Sequence, residues 1–121
     1  MIKVYTGGSS KQNPGPGGAG IVIKNAVTQE ILTSRGIPLG HVTNNQAEFL
    51  ALKHALTGFT SQGPPGDRIK VLTDSQLVVG IFSLSWKARA NLELAIEIRS
   101  LVKDFPQLRS FQQAANNGYL S

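Results

Sequence analysis

Residues 43–52, Thr-Asn-Asn-Gln-Ala-Glu-Phe-Leu-Ala-Leu, constrain this chain more than any other stretch, because they fix where a helix begins and put a carboxylate on its first turns. Thr43 and Gln46 have the spacing of a capping box, in which each side chain satisfies the other residue's backbone N–H. Ala47, Leu50, Ala51 and Ala55 recur at helical spacing, so one stripe faces a core, and Gly58 marks a stop. Glu48 falls at the edge of that stripe. A first-turn acid is favoured by the helix dipole, but a carboxylate beside a buried face also calls for a partner or a cation.

The rest of the chain sets the surroundings of that helix. Residues 2–6 alternate apolar and polar as a short strand does, and residues 7–18 are so rich in Gly and Pro that a loop is expected. Residues 19–24 and 30–35 read as two further strands, completing an antiparallel meander. Residues 69–73 form a fourth strand, which follows a helix and is expected to lie parallel to a neighbour. Asp74 ends that strand, where it can cap the next helix or hold a ligand. Asn91 is placed to cap a helix carrying Leu94, Ala95, Ile98, Leu101 and Val102, and residues 108–112 can supply a fifth strand. The order βββαβααβ predicts a single α/β domain over residues 1–121 with a mixed sheet, and sites in such sheets form beyond strand ends. The ends of the first and fourth strands, near Gly7 and at Asp74, are expected to meet Glu48 there.

Composition narrows the function classes. The 121 residues carry 12 Lys and Arg against 7 Asp and Glu, a net charge of +5 that suits a polyanionic partner, and none of the acids precedes Glu30. There is no Cys, which removes thiolate chemistry and Cys-ligated zinc. No apolar run is long enough to span a bilayer, and residues 1–5 are too short and polar for a secretory signal, so a soluble, cytoplasmic monomer without membrane contact is expected. Residues 15–20, Gly-Pro-Gly-Gly-Ala-Gly, match the dinucleotide-binding pattern GxGxxG, but Ile21-Val22-Ile23 continues as a strand where that motif requires a helix.

Four pieces in fixed order resemble the ribonuclease H family: Tyr5-Thr6-Gly7-Gly8-Ser9 with residues 13–20, residues 43–48, Leu72-Thr73-Asp74-Ser75, and the basic Trp86-Lys87-Ala88-Arg89-Ala90-Asn91. The likeness covers roughly residues 1–113 and is greatest to the compact type 1 form. It implies a five-stranded ribonuclease H-like fold and hydrolysis of the RNA strand of RNA/DNA hybrids by two Mg²⁺ ions, with Mn²⁺ as a possible substitute, held by four carboxylates. By resemblance Glu48 and Asp74 are two of the four. Gly7 stands where the family has its first aspartate. Gly118 stands at the last when Leu120 is the anchor, with Asn117 the nearest polar substitute, and the final helix is expected to be shortened or absent. Asn13, Asn44 and Asn45 fall where the family touches 2′-hydroxyls in the minor groove, and Trp86, Lys87, Arg89 and Asn91 where it faces the DNA backbone. With two carboxylates missing, the expectation is an impaired hybrid ribonuclease; the alternative is a hybrid-binding domain without catalysis.

Overall fold

A computed structural model describes residues 1–59, 68–84, 87–104 and 108–113. The elements run β1 (Ile2–Ser10), β2 (Gly15–Asn25), β3 (Ile31–Val42), α1 (Asn44–Phe59), β4 (Ile69–Thr73), α2 (Gln76–Ser83), α3 (Leu92–Lys103) and β5 (Leu108–Gln113). The strands form one sheet in the order β3-β2-β1-β4-β5. The first three pair antiparallel, and β4 and β5 add in parallel, as a strand reached through a helix must. The expected mixed α/β architecture is therefore present.

One face of the sheet makes the core. Ile2, Val4, Ile21, Ile23, Ile69 and Val71 alternate onto that face and pack against Phe49, Leu52, Val78, Ile81, Ala95 and Ile98 from the three helices. Phe49 and Phe82 meet edge to face with centroids 5.8 Å apart, tying α1 to α2. Lys53 Nζ reaches Glu97 Oε1 at 2.5 Å, joining α1 to α3 near the surface.

The glycine-rich stretch departs from expectation. Residues 7–10 and 15–18 are not loop: β1 continues through Ser10, β2 starts at Gly15, and Gly7 pairs with Gly20, Gly8 with Ala19, Ser9 with Gly18 and Ser10 with Gly17. Here the glycines serve close approach rather than turning. A Cβ on Gly8 would overlap the backbone carbonyl of Ala47, and one on Gly17 would overlap the Val42 side chain. β3 is also longer than the expected residues 30–35, passing Gly36, Pro38 and Gly40 with a register shift opposite Gly17 and Gly18. As an edge strand it tolerates Pro38, whose missing N–H interrupts no central ladder.

The capping box forms as read. Thr43 N donates to Gln46 Oε1 at 2.8 Å, and Gln46 N donates to Thr43 Oγ1 at 3.1 Å. The helix passes Gly58 without stopping and ends at Phe59. Its buried face is broader than the expected stripe, because Phe49, Leu52 and Leu56 are buried along with Ala47, Ala51 and Ala55, while Leu50 is half-buried. At about 100° per residue, Glu48 then sits at the centre of the buried arc and not at its edge. At the second helix the cap is Ser75, whose side chain accepts from Val78 N; Asp74 does not cap. Asn91 holds the N-cap position of α3 in left-handed conformation without a capping side-chain bond.

Two substitutions test this frame. Thr43→Ala removes the reciprocal cap and is expected to cost about 1 kcal/mol, read as a lower denaturant midpoint. Gly8→Ala pushes β1 off α1 and is expected to cost about 2–3 kcal/mol, although alanine at an ordinary strand position would be neutral or stabilising.

Candidate active site

Glu48, Asp74 and the end of β1 meet at the carboxyl ends of β1 and β4. Gly8 brings the β1 backbone against the first turn of α1, and its N–H donates to Glu48 Oε1 at 2.5 Å. β4 runs parallel to β1 with Thr73 level with Thr6, so Asp74 emerges beside Gly7. With Ser75 as the cap, the Asp74 side chain turns to Glu48 and hydrogen-bonds its carboxyl group.

Electrostatics follow from that geometry. Burial first, and then the hydrogen bond and negative charge of Asp74, raise the Glu48 pKa from 4.5 to about 8; the Gly8 N–H pulls the other way and is outweighed. At neutral pH Glu48 is therefore protonated and donates to Asp74. The pair shares a proton in the place where a cation would neutralise it instead. Two hard oxygen donors of this kind fit a divalent ion such as Mg²⁺ or Mn²⁺ with water completing the shell. Among the described residues, no third His, Cys, Asp or Glu joins them to complete a metal-binding group.

Beside the pair lies a cleft of about 460 Å³ lined by Gly7, Gly8, Ser9, Gly18, Ala19, Gly20, Gly36, Ile37, Pro38 and Asp74. Its floor is nearly free of side chains, because Gly7, Gly20 and Gly36 are neighbours across β1, β2 and β3.

The asparagines form a linked set at the other edge of the α1 start. Asn44 Oδ1 accepts from Ser10 N at 2.8 Å and from Ser10 Oγ at 3.0 Å, and Asn13 Oδ1 accepts from Asn44 N at 3.0 Å. Ser10 was not singled out in the sequence, because a serine in a supposed loop gives no sign that it holds an asparagine across to a helix. Asn45 belongs to a second cleft of about 470 Å³, shared with Leu77, Ile81, Lys87, Arg89, Ala90 and Asn91. The structure thus gathers Asn45 with Lys87, Arg89 and Asn91, and Glu48 with Asp74 and Gly7. Trp86, Asn117 and Gly118 lie outside the described residues.

A mixed sheet in this strand order, with a carboxylate pair at the ends of its two central parallel strands, defines a ribonuclease H-like α/β domain. A profile of the RNase H family matches residues 1–116, and the chain belongs to that family. The bifunctional protein Rv2228c of Mycobacterium tuberculosis is 31% identical over 109 residues, covering 88% of this chain and 29% of that protein. A protein named ribonuclease H from Neorickettsia sennetsu is 38% identical over 76 residues, covering 62% of this chain and 46% of that protein. The chain thus spans under half the length of these relatives. Among solved structures, LC11-RNase H1 from compost, in complex with an RNA/DNA hybrid, superposes with a TM-score of 0.87 at 28% identity over 96% of this chain and 86% of that one. Among the described residues, no helix is long and apolar enough to cross a membrane.

The raised Glu48 pKa sets a pH dependence. In the unfolded chain Glu48 ionises near 4.5, whereas in the folded chain it stays neutral to about 8. The folded state therefore binds the extra proton between those values, and its contribution to stability is full below 4.5 and lost as pH rises through 8. In chelator, the stability difference between the wild type and Glu48→Gln is expected to shift in favour of Gln as pH rises from 5 to 8. Equal denaturation midpoint differences at both pH values would contradict a protonated Glu48.

Proposed function

We propose that this chain is a ribonuclease H domain acting on the RNA strand of RNA/DNA hybrids, by descent through two-metal hydrolysis, and that its catalysis is impaired. The observation that carries the reading is the convergence of Glu48 and Asp74 at the sheet end, in a chain of this family. The hybrid-bound relative supports the substrate class.

Glu48 and Asp74 are the residues that would hold the metal. When bound, divalent ions would activate water and stabilise the leaving oxygen of a phosphodiester. The impairment follows from Gly7, which supplies no side-chain oxygen next to the pair, and two carboxylates offer a charge of about −2 where charge count sets affinity. Gly118 and Asn117 mark the other missing position, with Asn117 able to offer a carbonyl oxygen.

Substrate positioning falls to the asparagines and the basic groove. Because the carbonyl oxygens of Asn13 and Asn44 are engaged by the protein itself, these side chains face outward with amide N–H donors, which suit the acceptor oxygens of 2′-hydroxyls and minor-groove base edges. Lys87 and Arg89, with Asn45 and Asn91 in one cleft, suit the DNA phosphates. The protein acts as a monomer on this reading, in the cytoplasm.

A second reading, a hybrid-binding domain without catalysis, is favoured by the proton shared between Glu48 and Asp74, since a pair that holds a proton at neutral pH binds cations less readily. One assay separates the two. Cleavage of a labelled hybrid in Mg²⁺ and in Mn²⁺ is expected to be slow for the chain as it stands and to rise by on the order of 10²–10³ on Gly7→Asp, and further with Gly118→Asp. Binding without cleavage in every variant and metal would establish the binding domain; equal, robust cleavage before and after would show that the missing carboxylates do not matter.

A further inference from the structure

The sheet face turned away from the helices carries a row of cations. Lys3 in β1 is the register partner of Lys24 in β2 and of Lys70 in β4, so the three lysines stand side by side across adjacent strands. Alternation along β1 and β4 puts them opposite Ile2, Val4, Ile69 and Val71, which fill the core. Lys24 Nζ lies 5.7 Å from the centroid of the Tyr5 ring, two residues along β1 on the same face, which draws its head back over the sheet beside Lys3.

Among the described residues, no strand supplies a carboxylate to the row. The five strands contain no Asp or Glu at all. Lys53 pairs with Glu97 on the helical side, away from the row. Like charges directly opposite each other on neighbouring strands repel, so three in register is an arrangement that local stability disfavours and an anion relieves.

We infer that Lys24, Lys3 and Lys70 form a second nucleic-acid contact, a binding row for the phosphates of a single strand that continues beyond the hybrid. The inference rests on the hybrid-binding reading above. Spacing and continuity identify the occupant. Adjacent strands are about 4.8 Å apart, so the row is spaced to meet consecutive phosphates of one strand, and its place on the sheet face beyond the cleft suits a strand that continues past the hybrid. Lys3 lies four residues before Gly7 on one strand, about 13 Å at 3.3 Å per residue, and both belong to the same face. A strand leaving the glycine-floored cleft beside Asp74 therefore reaches the lysines on the same face of the sheet and turns there to follow the row across β2, β1 and β4.

The test compares four probes: a short blunt RNA/DNA hybrid, the same hybrid with a single-stranded oligothymidylate tail, free oligothymidylate, and poly-glutamate. The proteins are the wild type, a triple variant Lys3→Gln, Lys24→Gln, Lys70→Gln, and its charge-preserving counterpart with Arg at the three positions, each checked for a thermal midpoint no lower than the wild type's. The wild type is expected to bind the tailed hybrid more tightly than the blunt one. The Gln variant is expected to bind both equally and to lose about 2 from the slope of log affinity against log salt on the tailed probe, at about 0.7 per phosphate for three contacts. The Arg variant is expected to retain the tail's advantage. A tail advantage that survives in the Gln variant, or none in a wild type that binds the blunt hybrid, overturns the inference. So does lysine-dependent binding of poly-glutamate without oligothymidylate, which would assign the row to an acidic polypeptide. Lysine-dependent binding of free oligothymidylate with no hybrid binding keeps the row and removes the hybrid reading instead.

Discussion

The closeness of β1 to the first turn of α1 governs the site. At Gly8 the two backbones come so near that no side chain fits between strand and helix, and the strand N–H reaches the Glu48 carboxyl at 2.5 Å. That contact takes Glu48 out of water while leaving it at the sheet's end, where Asp74 arrives from β4. An acid in such a position must be neutralised, and the molecule offers two ways. A proton on Glu48 is one, and burial first and then the hydrogen bond to Asp74 hold it there, with a pKa of about 8. A hard cation between the same oxygens is the other, and the two exclude each other. Metal affinity at this site is therefore linked to pH through the same pair, and a third carboxylate at position 7 would tilt the balance toward the cation by adding negative charge where the proton is already shared.

How much of this was legible in the sequence depended on whether the signal was local. The capping box was read from Thr43 and Gln46 because both partners lie within one turn, and the structure shows both bonds. The order of strands and helices, and the parallel addition of β4, were legible from alternation and helical spacing. The glycines misled because their composition signals a turn, while their use is tertiary: Gly8 and Gly17 are small because something from elsewhere in the chain lies against them. Position 74 shows the same limit. Asp74 and Ser75 are both competent N-caps, and the helix starts at Gln76, so serine caps while aspartate meets Glu48 across the cleft. Glu48 itself was placed one row off, because Leu50 drew the expected stripe to one side of a face that Phe49, Leu52 and Leu56 extend to the other. The row of lysines could not be read at all, since Lys3, Lys24 and Lys70 become neighbours only once strand register is known.

Charge in this protein is segregated by element. The described acids lie on helices, at the C-cap Asp104, in the turn at Glu30 and at the strand end at Asp74, while the strands carry basic residues and no acid. A molecule with a uniform excess of cations would attract nucleic acid over its whole surface and gain no orientation from it. Here the carboxylate pair has cations in two places around it, Lys87 and Arg89 in the groove by α3 and the lysine row on the sheet face away from the three helices.

The asparagines fix what the surface offers between those flanks. Asn44 cannot rotate freely, because Ser10 binds its carbonyl through both backbone N–H and hydroxyl, and Asn13 is oriented in turn by the Asn44 N–H. The arrangement also locks the turn between β1 and β2 onto the helix start, so the groups that would touch substrate are the same ones that hold the turn in place. Orientation by the protein's own backbone is what allows an amide to act as a donor of fixed direction. An aspartate at either position would preserve the internal acceptor and still present oxygen, not N–H, to a partner that itself offers oxygen. On the function proposed above, shape and folding would survive that exchange, and N–H donation to a 2′-hydroxyl would not.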